Sequence, residues 1–246
     1  MKVSIITIAY NSESSIADTI NSVLSQTYPD IEYIVVDGKS KDKTVEIVKS
    51  FGGKVHKFIS EPDKGIYDAL NKGVALATGD VVGFLHSDDI YGGVDIVEKV
   101  VELFKKGQTD SVYGDLQYVF KNDTSRVFRH WKAGDFSLQK LKMGWMPPHP
   151  TFYVKKAVYE AHGTFNTSFK IAADYDNMLR FLGKYKISTA YLPVVMVKMR
   201  VGGASNRSLK NIIRKSSEDM RAIRVNRFGN VFTLVFKNLR KLGQFF

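Results

Sequence analysis

The four residues His86-Ser87-Asp88-Asp89 follow directly on an apolar run, Val81-Val82-Gly83-Phe84-Leu85. A short run of this kind reads as a buried strand. Carboxylates at the end of such a strand point to a cleft, because open α/β sheets bind ligands outside the carboxyl ends of their strands. Paired Asp side chains suit Mg²⁺ or Mn²⁺, hard cations that take oxygen ligands and bridge diphosphates. Taken singly, either Asp also fits a helix cap or a surface acid. Asp37, ahead of Gly38, closes a second apolar run. Alone it is a turn residue; on a doubly wound sheet it faces the same cleft as Asp88. Thr7, Tyr10 and Asn11 close the first run. An aromatic, an amide and a carboxylate together make a pocket for a nucleotide base, the ring stacking and the carboxylate accepting a ring N–H.

The elements that must position these residues alternate regularly through the first half. Residues 3–9, 31–36, 55–59 and the run ending at His86 are β-branched and apolar, hence strands. Between them, Ile16, Ile20, Val23 and Leu24 recur at helical spacing, Asp42 or Thr44 can cap a helix to Ser50, and 66–78 is helical. The βαβαβαβ order implies a mostly parallel sheet with right-handed crossovers. The second half is less regular. A helix is expected over 94–106, strands at 111–113 and 116–120 around Gly114-Asp115, a short helix at 136–143, a rigid loop at 146–150, a strand at 152–154 running into a helix at 155–161, a helix at 174–183 and an extended segment at 187–199. From Ser208 the pattern is helical and basic.

The 246 residues suit one large α/β domain with an appended piece. With no cysteine, disulfides and Cys-based zinc sites are excluded, and a cytoplasmic setting is compatible. No apolar stretch approaches the ~18 residues of a membrane span, and the first ten residues read as a strand rather than a leader. The formal charge of +11 is concentrated: from Arg207 to Phe246 there are ten Lys or Arg against Glu218 and Asp219.

Several ordered motifs resemble family 2 glycosyltransferases: Ser-Ile-Ile-Thr-Ile-Ala-Tyr-Asn at 4–11, Val-Val-Asp-Gly-Lys-Ser at 35–40, Ser-Glu-Pro-Asp-Lys-Gly at 60–65, Asn-Lys-Gly at 71–73, Ala-Thr-Gly-Asp at 77–80 and Phe-Leu-His-Ser-Asp-Asp at 84–89. The resemblance implies a GT-A fold over 1–205, with a nucleotide-binding half (1–92) and an acceptor half (93–205), followed by a basic amphipathic tail (206–246). It also implies an inverting hexosyl or N-acetylhexosaminyl transferase using a nucleotide-diphosphate sugar, with uracil as the base. Thr7, Tyr10, Asn11 and Asp37 are then expected at the base and ribose, Asp63 and Lys64 near the nucleotide, and Ser87 with Asp88 at the diphosphate. Asp88 is the expected ligand of Mn²⁺ or Mg²⁺, with Asp89 either a second ligand or a residue behind the first. The family's metal motif usually begins with Asp where this chain has His86, which either ligates the metal through a neutral imidazole, orients the ribose, or packs under the loop.

Ala172-Ala173-Asp174-Tyr175-Asp176 resembles the family's Glu-Asp motif, with Ala173 in place of Glu. By that likeness Asp174 is the catalytic base, although unaided it reads as a helix cap. His149, in Pro-Pro-His-Pro-Thr, resembles a His near the acceptor cleft; a loop His bonded to backbone is the other reading. Arg200-Val201-Gly202-Gly203-Ala204-Ser205 resembles a glycine-containing segment that folds over the diphosphate, with Arg200 on a phosphate, or else is a linker.

The tail interleaves apolar and basic residues. It suits a helix packed on the domain, or an interfacial helix on anionic lipid that serves a saccharide or polyprenyl-linked acceptor in surface-polysaccharide assembly at the inner face of the plasma membrane. Nucleic acid ranks last, because no groove-reading motif appears. A nucleotidyltransferase is the rival enzyme, yet it would carry a Gly-rich, Lys- or Arg-bearing loop where this chain has Ala9-Tyr10-Asn11-Ser12-Glu13. The His86 and Ala173 departures leave a catalytically inactive sugar-nucleotide-binding protein as a third reading.

Overall fold

The computed structural model describes residues 1–201 and 209–242. Strand β1 (Val3–Ala9) is buried along its whole length. Its side chains alternate between two cores, as the two-residue period of a strand requires. Val3 and Ile5 enter one core, Ile6 and Ile8 the other. β2 (Ile31–Asp37) does the same, with Tyr33 and Val35 on the first side and Ile34 and Val36 on the second. Burial on both faces is what a parallel sheet covered by helices demands.

On the first face lie α1 (Ile16–Leu24), through Ile16, Ile20 and Val23, and α4 (Ile96–Gly107), through Val97, Val100, Val101 and Phe104. α2 (Thr44–Ser50) joins them through Val48. Each fully buried side chain of this kind contributes roughly 1.5–3 kcal/mol. On the second face lie α3 (Ile66–Leu76), α6 (Lys156–His162), α7 (Ala173–Met178) and α8 (Leu209–Val225). The C-terminal segment therefore enters the core through Ala222, Ile223 and Phe228, the last between α8 and α9 (Val231–Leu242).

The remaining strands are β3 (Lys57–Ser60), β4 (Val81–Phe84), β5 (Asp89–Tyr91), β6 (Ser111–Phe120), β7 (Asp123–Trp131), β8 (Tyr153–Lys155) and β9 (Thr189–Arg200). Helix α5 (Leu138–Lys142) and a 3₁₀ turn, His149–Thr151, lie between β7 and β8. Among the described residues the sheet has nine strands in the order β3-β2-β1-β4-β8-β6-β9-β5, with β7 paired to β6. β3, β2, β1 and β4 are parallel, and so is the long β6–β9 pair. β8 enters antiparallel to both neighbours. The strand order reverses between β1 and β4, which opens a crevice at their carboxyl ends.

Four elements differ from expectation. The segments 111–113 and 116–120 are one strand, because Gly114-Asp115 forms an irregularity against β9 that does not break the ladder. A Cβ at Gly114 would lie 2.7 Å from the Leu192 carbonyl, so only glycine allows this approach. β7 was not foreseen; its residues are largely exposed and carry no apolar alternation. β5, read as loop, pairs antiparallel with β9. The expected helix over 174–183 is α7 followed by a π-helical turn, Leu179–Lys184.

Glu32 fastens the amino ends of the central strands. Buried on β2, it accepts hydrogen bonds from the Ser4 hydroxyl (2.6 Å) and from the amide and hydroxyl of Thr78 (both 2.8 Å), and it pairs with Lys57 at 2.9 Å. Burial alone would raise its pKa, but these bonds outweigh burial and hold it well below the usual glutamate range. A lowered folded pKa stabilises the fold above the unfolded value of ~4.3, and this is lost as pH falls below it. Glu32→Gln should therefore melt below wild type at pH 7. The gap should begin to narrow below pH ~4 and keep narrowing as pH falls further toward the lowered folded value, in parallel thermal scans.

Candidate functional site

Register places the chemistry. Ala9, Asp37 and Ser60 are aligned across β1, β2 and β3, and Ile6 is aligned with Phe84 on β4. The residues after these strands thus share one edge. Tyr10 stands 57% exposed there. Asn11, with φ of +50°, turns the chain and accepts the Lys41 amide at 2.9 Å while its own amide donates to Ser40. Ser12 and Ser87 meet at 2.8 Å, tying the chain after β1 to the loop after β4.

Two residues expected on the donor are turned inward. Thr7 has no exposed surface; its hydroxyl donates to the Leu85 carbonyl at 2.7 Å and bonds Tyr33 at 3.0 Å, tying β1 to β4. Asp37 is likewise sealed. It accepts the Ser40 amide (3.0 Å), the Ser60 hydroxyl (2.6 Å) and the Ser40 hydroxyl, so most of its acceptor capacity is spent on shaping the loop. The carboxylate nearer the surface is Asp63. One of its oxygens accepts the Gly65 amide at 2.8 Å, while the other lies over Gly38, where a Cβ would meet it at 2.3 Å. Gly38 is thus the space that lets Asp63 lie beside Tyr10. Lys64 is exposed, and its amide donates to Asp68 at 3.0 Å.

At the end of β4 the two aspartates part company. Asp88 is partly exposed, and its carboxylate makes no hydrogen bond or ion pair with a described residue. Asp89 is 1% exposed, neither of its oxygens has a hydrogen-bond partner, and its backbone is held in β5. Burial first, and the Asp88 charge second, raise the Asp89 pKa well above the carboxylate range. Sealed from solvent in β5, Asp89 stands behind Asp88 rather than beside it as a second ligand, and that part of the expectation is corrected. Arg200 is corrected too. It is buried at the end of β9, donating to the Asp88 carbonyl at 2.8 Å and the Asp18 carboxylate at 2.6 Å, and so braces the loop from behind. The expected glycine segment, 202–205, lies outside the described residues.

Close to His86 stand His149 and Asp174. The His86 and His149 rings stack with centroids 5.9 Å apart, and His149 packs against Phe84 and Phe165. Burial lowers the pKa of both imidazoles, His149 to about 4, against the pull of the Asp174 carboxylate on each. Both rings are therefore neutral at pH 7. His86 also feels Asp88, so one imidazole lies under the influence of carboxylates from both sides of the cleft. Asp174 is the second residue of α7 and is partly exposed, with its Oδ1 3.4 Å from the Tyr67 hydroxyl. That hydroxyl donates to the Ile171 carbonyl at 2.6 Å. Burial and the Asp174 charge push the Tyr67 pKa up, so it remains a donor. Ala173 has no exposed surface and belongs to the core, whereas Asp176 is buried against Arg180 and Asn226. Sequence reasoning missed Tyr67, Ser40 and Ser60. Only Ser40, three residues after an Asp that ends a strand, carried a local signal.

Among the described residues no group of three His, Asp or Glu side chains could by itself hold a metal ion. Asp88 with His86 beside it does fit a cation of the Mg²⁺ type, which is commonly bound by one or two carboxylates with substrate phosphates completing its shell.

Residues 4–167 match the model of glycosyl transferase family 2. The chain belongs to this family. An uncharacterised glycosyltransferase of Mycobacterium tuberculosis is 36% identical over 72% of this chain and 68% of its own length. The PGL/p-HBAD biosynthesis glycosyltransferase of Mycobacterium bovis is 31% identical over 76% and 72%. Among solved structures, TarS 1-349 of S. aureus in complex with UDP-GlcNAc superposes with a TM-score of 0.72 at 19% identity, over 92% of this chain and 65% of that one. The chain thus spans less than two-thirds of that TarS fragment. The mannosyltransferase PcManGT of Pyrobaculum calidifontis, in complex with GDP-Man and Mn²⁺, superposes at 0.67 with 18% identity over 97% and 68%. These structures establish the GT-A glycosyltransferase fold.

The two corrections have opposite consequences for this family 2 enzyme. Asp89→Asn keeps the shape of a side chain sealed from solvent and should leave nucleotide binding within about threefold of wild type. Arg200→Met leaves the Asp88 carbonyl and Asp18 unpartnered and should cost about 2 kcal/mol of stability by denaturant unfolding.

Proposed function

We propose that this glycosyltransferase moves a hexosyl or N-acetylhexosaminyl unit from a UDP-sugar to a saccharide or polyprenyl-linked saccharide, with inversion at the anomeric carbon. One observation carries the reading: the loop after β4, with Asp88, and the start of α7, with Asp174, converge on His86, whose ring stacks on His149 beside the strand-order reversal. Tyr10 offers a stacking face for the base and Asp63 an acceptor beside it. The UDP and UDP-GlcNAc in the TarS complexes support uracil.

Asp174 accepts the proton of an acceptor hydroxyl as its oxygen bonds to the anomeric carbon and the bond to the diphosphate breaks on the opposite face. One displacement inverts the centre. The neutral His149 ring and Phe165 wall the acceptor side, and Tyr67 orients Asp174. Asp88, with His86, would hold Mn²⁺ or Mg²⁺, which when bound offsets the charge on the departing diphosphate. The Mn²⁺ in the PcManGT complex supports that assignment.

A membrane setting is part of the same reading. Helix α9 presents Val231, Phe232, Val235, Phe236 and Leu239 to solvent, each at least 40% exposed. They lie on one face, while Thr233 and Lys237 on the other are buried. Beside Phe232 and Phe236 runs a groove lined by Lys142, Lys186 and Arg227. An apolar stripe edged by cations suits the inner, anionic face of a plasma membrane, where each cation contributes about 1 kcal/mol. No helix among the described residues is long and apolar enough to cross a membrane.

With a panel of nucleotide sugars and Mn²⁺ or Mg²⁺, release of nucleoside diphosphate should require both a UDP-sugar and an acceptor. Asp174→Asn should keep UDP-sugar affinity and lose turnover at least 100-fold. Asp88→Ala should abolish the metal dependence of UDP binding. Binding without turnover by wild type on any donor and acceptor pair would instead make this a sugar-nucleotide-binding protein. In vesicle sedimentation, Phe232→Ser/Phe236→Ser should lose binding to anionic vesicles; equal sedimentation of wild type with neutral vesicles would contradict the membrane assignment.

A further inference from the structure

We infer that Glu218, on the C-terminal helix α8, is a positioning residue for the Asp174 carboxylate. The inference rests on the proposed role of Asp174. The segment 170–172 leads directly into α7, whose cap residue Ala172 offers no side-chain acceptor. The Lys170 and Ile171 amides precede the helix and the Ala172 amide belongs to its cap, so α7 itself supplies none of them with an acceptor. The Glu218 carboxylate takes up three in succession: one oxygen accepts Lys170 (3.0 Å), Ile171 (2.8 Å) and Ala172 (3.1 Å), and the other accepts Lys170 again at 3.1 Å.

The opposite side of the same segment is held by Tyr67, whose hydroxyl donates to the Ile171 carbonyl at 2.6 Å. Asp174 follows two residues after this clamp and touches the same hydroxyl. A charged acceptor gathering three amides is among the stronger hydrogen-bonding arrangements. The base-bearing turn is thus fixed by two residues far away in sequence, one on α3 and one on the basic C-terminal segment. The donor side makes no use of Glu218, since Tyr10, Asp63 and Asp88 stand on β1, β3 and β4 connections. Loss of Glu218 therefore lowers the rate of transfer and leaves donor affinity intact.

The test pairs steady-state kinetics with hydrogen exchange on the full chain. Glu218→Ala removes all the acceptors and should lower kcat at least tenfold with KM for the UDP-sugar within twofold of wild type. Glu218→Gln keeps one oxygen acceptor and should fall between the two. In both variants the amides of 170–172 should exchange faster while those of β4 stay slow. Ile223→Ala, a cavity on the same helix, controls for general loosening and should lower the melting temperature without the kcat loss. Unchanged exchange at 170–172 in Glu218→Ala overturns the inference, whether or not the protein turns over a donor. A kcat loss in Ile223→Ala equal to that in Glu218→Ala, or a matching loss of donor affinity, overturns it as well. Failure of wild type to turn over any donor refutes the proposed function instead, and exchange still decides the role of Glu218.

Discussion

Everything in this molecule hangs on the shared register of four parallel strands. Because β3, β2, β1 and β4 run the same way, the chain leaves each of them at one edge of the sheet. Tyr10, Asp63 and Asp88 come from separate strand ends and share one edge of the sheet without any loop having to be long. The period of two then assigns the remaining side chains to one core or the other, and the helices seal both. A one-residue slip of β4 against β1 would exchange its faces and move Asp88 away from the crevice. The Thr7–Leu85 and Ser12–Ser87 bonds pin that register at the edge where it matters.

Burial sorts the carboxylates into two groups. Asp37 and Asp89 are closed off, the first saturated with hydroxyl and amide donors, the second unpartnered and raised in pKa. Asp63, Asp88 and Asp174 keep surface toward the cleft. The two stacked imidazoles, His86 and His149, stay neutral because the protein around them disfavours their charge more than the nearby carboxylates favour it.

How far the sequence discloses this depends on the range of the interaction. Apolar runs and their spacing reveal β1, β2 and β4, and a carboxylate at a strand end is visible as such, so Asp37 and Asp88 could be located at once. Periodicity cannot tell which of two adjacent aspartates faces water: Asp89 is sealed because β5 pairs with β9, more than a hundred residues on. The same distance hides Arg200, which looks like a phosphate ligand beside its glycines but spends its donors on Asp88 and Asp18. β7 escapes because strand pairing there is held by backbone and cation–ring contacts, such as Arg126 over Phe120, rather than by a buried face. The C-terminal segment looks like an appended basic tail from its charge alone, yet α8 supplies buried apolar side chains to the core and Glu218 to the amides ahead of α7.

The claim at the centre is that one crevice, between β1 and β4, holds the donor with its reacting carbon facing Asp174. A crystal structure of the Asp174→Asn enzyme soaked with a non-hydrolysable UDP-sugar and Mn²⁺ tests it directly. The account predicts uracil against Tyr10, the diphosphate at Asp88 and the sugar between Asp88 and Asn at 174. A nucleotide seated elsewhere, for instance in the Lys142, Lys186 and Arg227 groove, with the β1–β4 crevice empty, would contradict it.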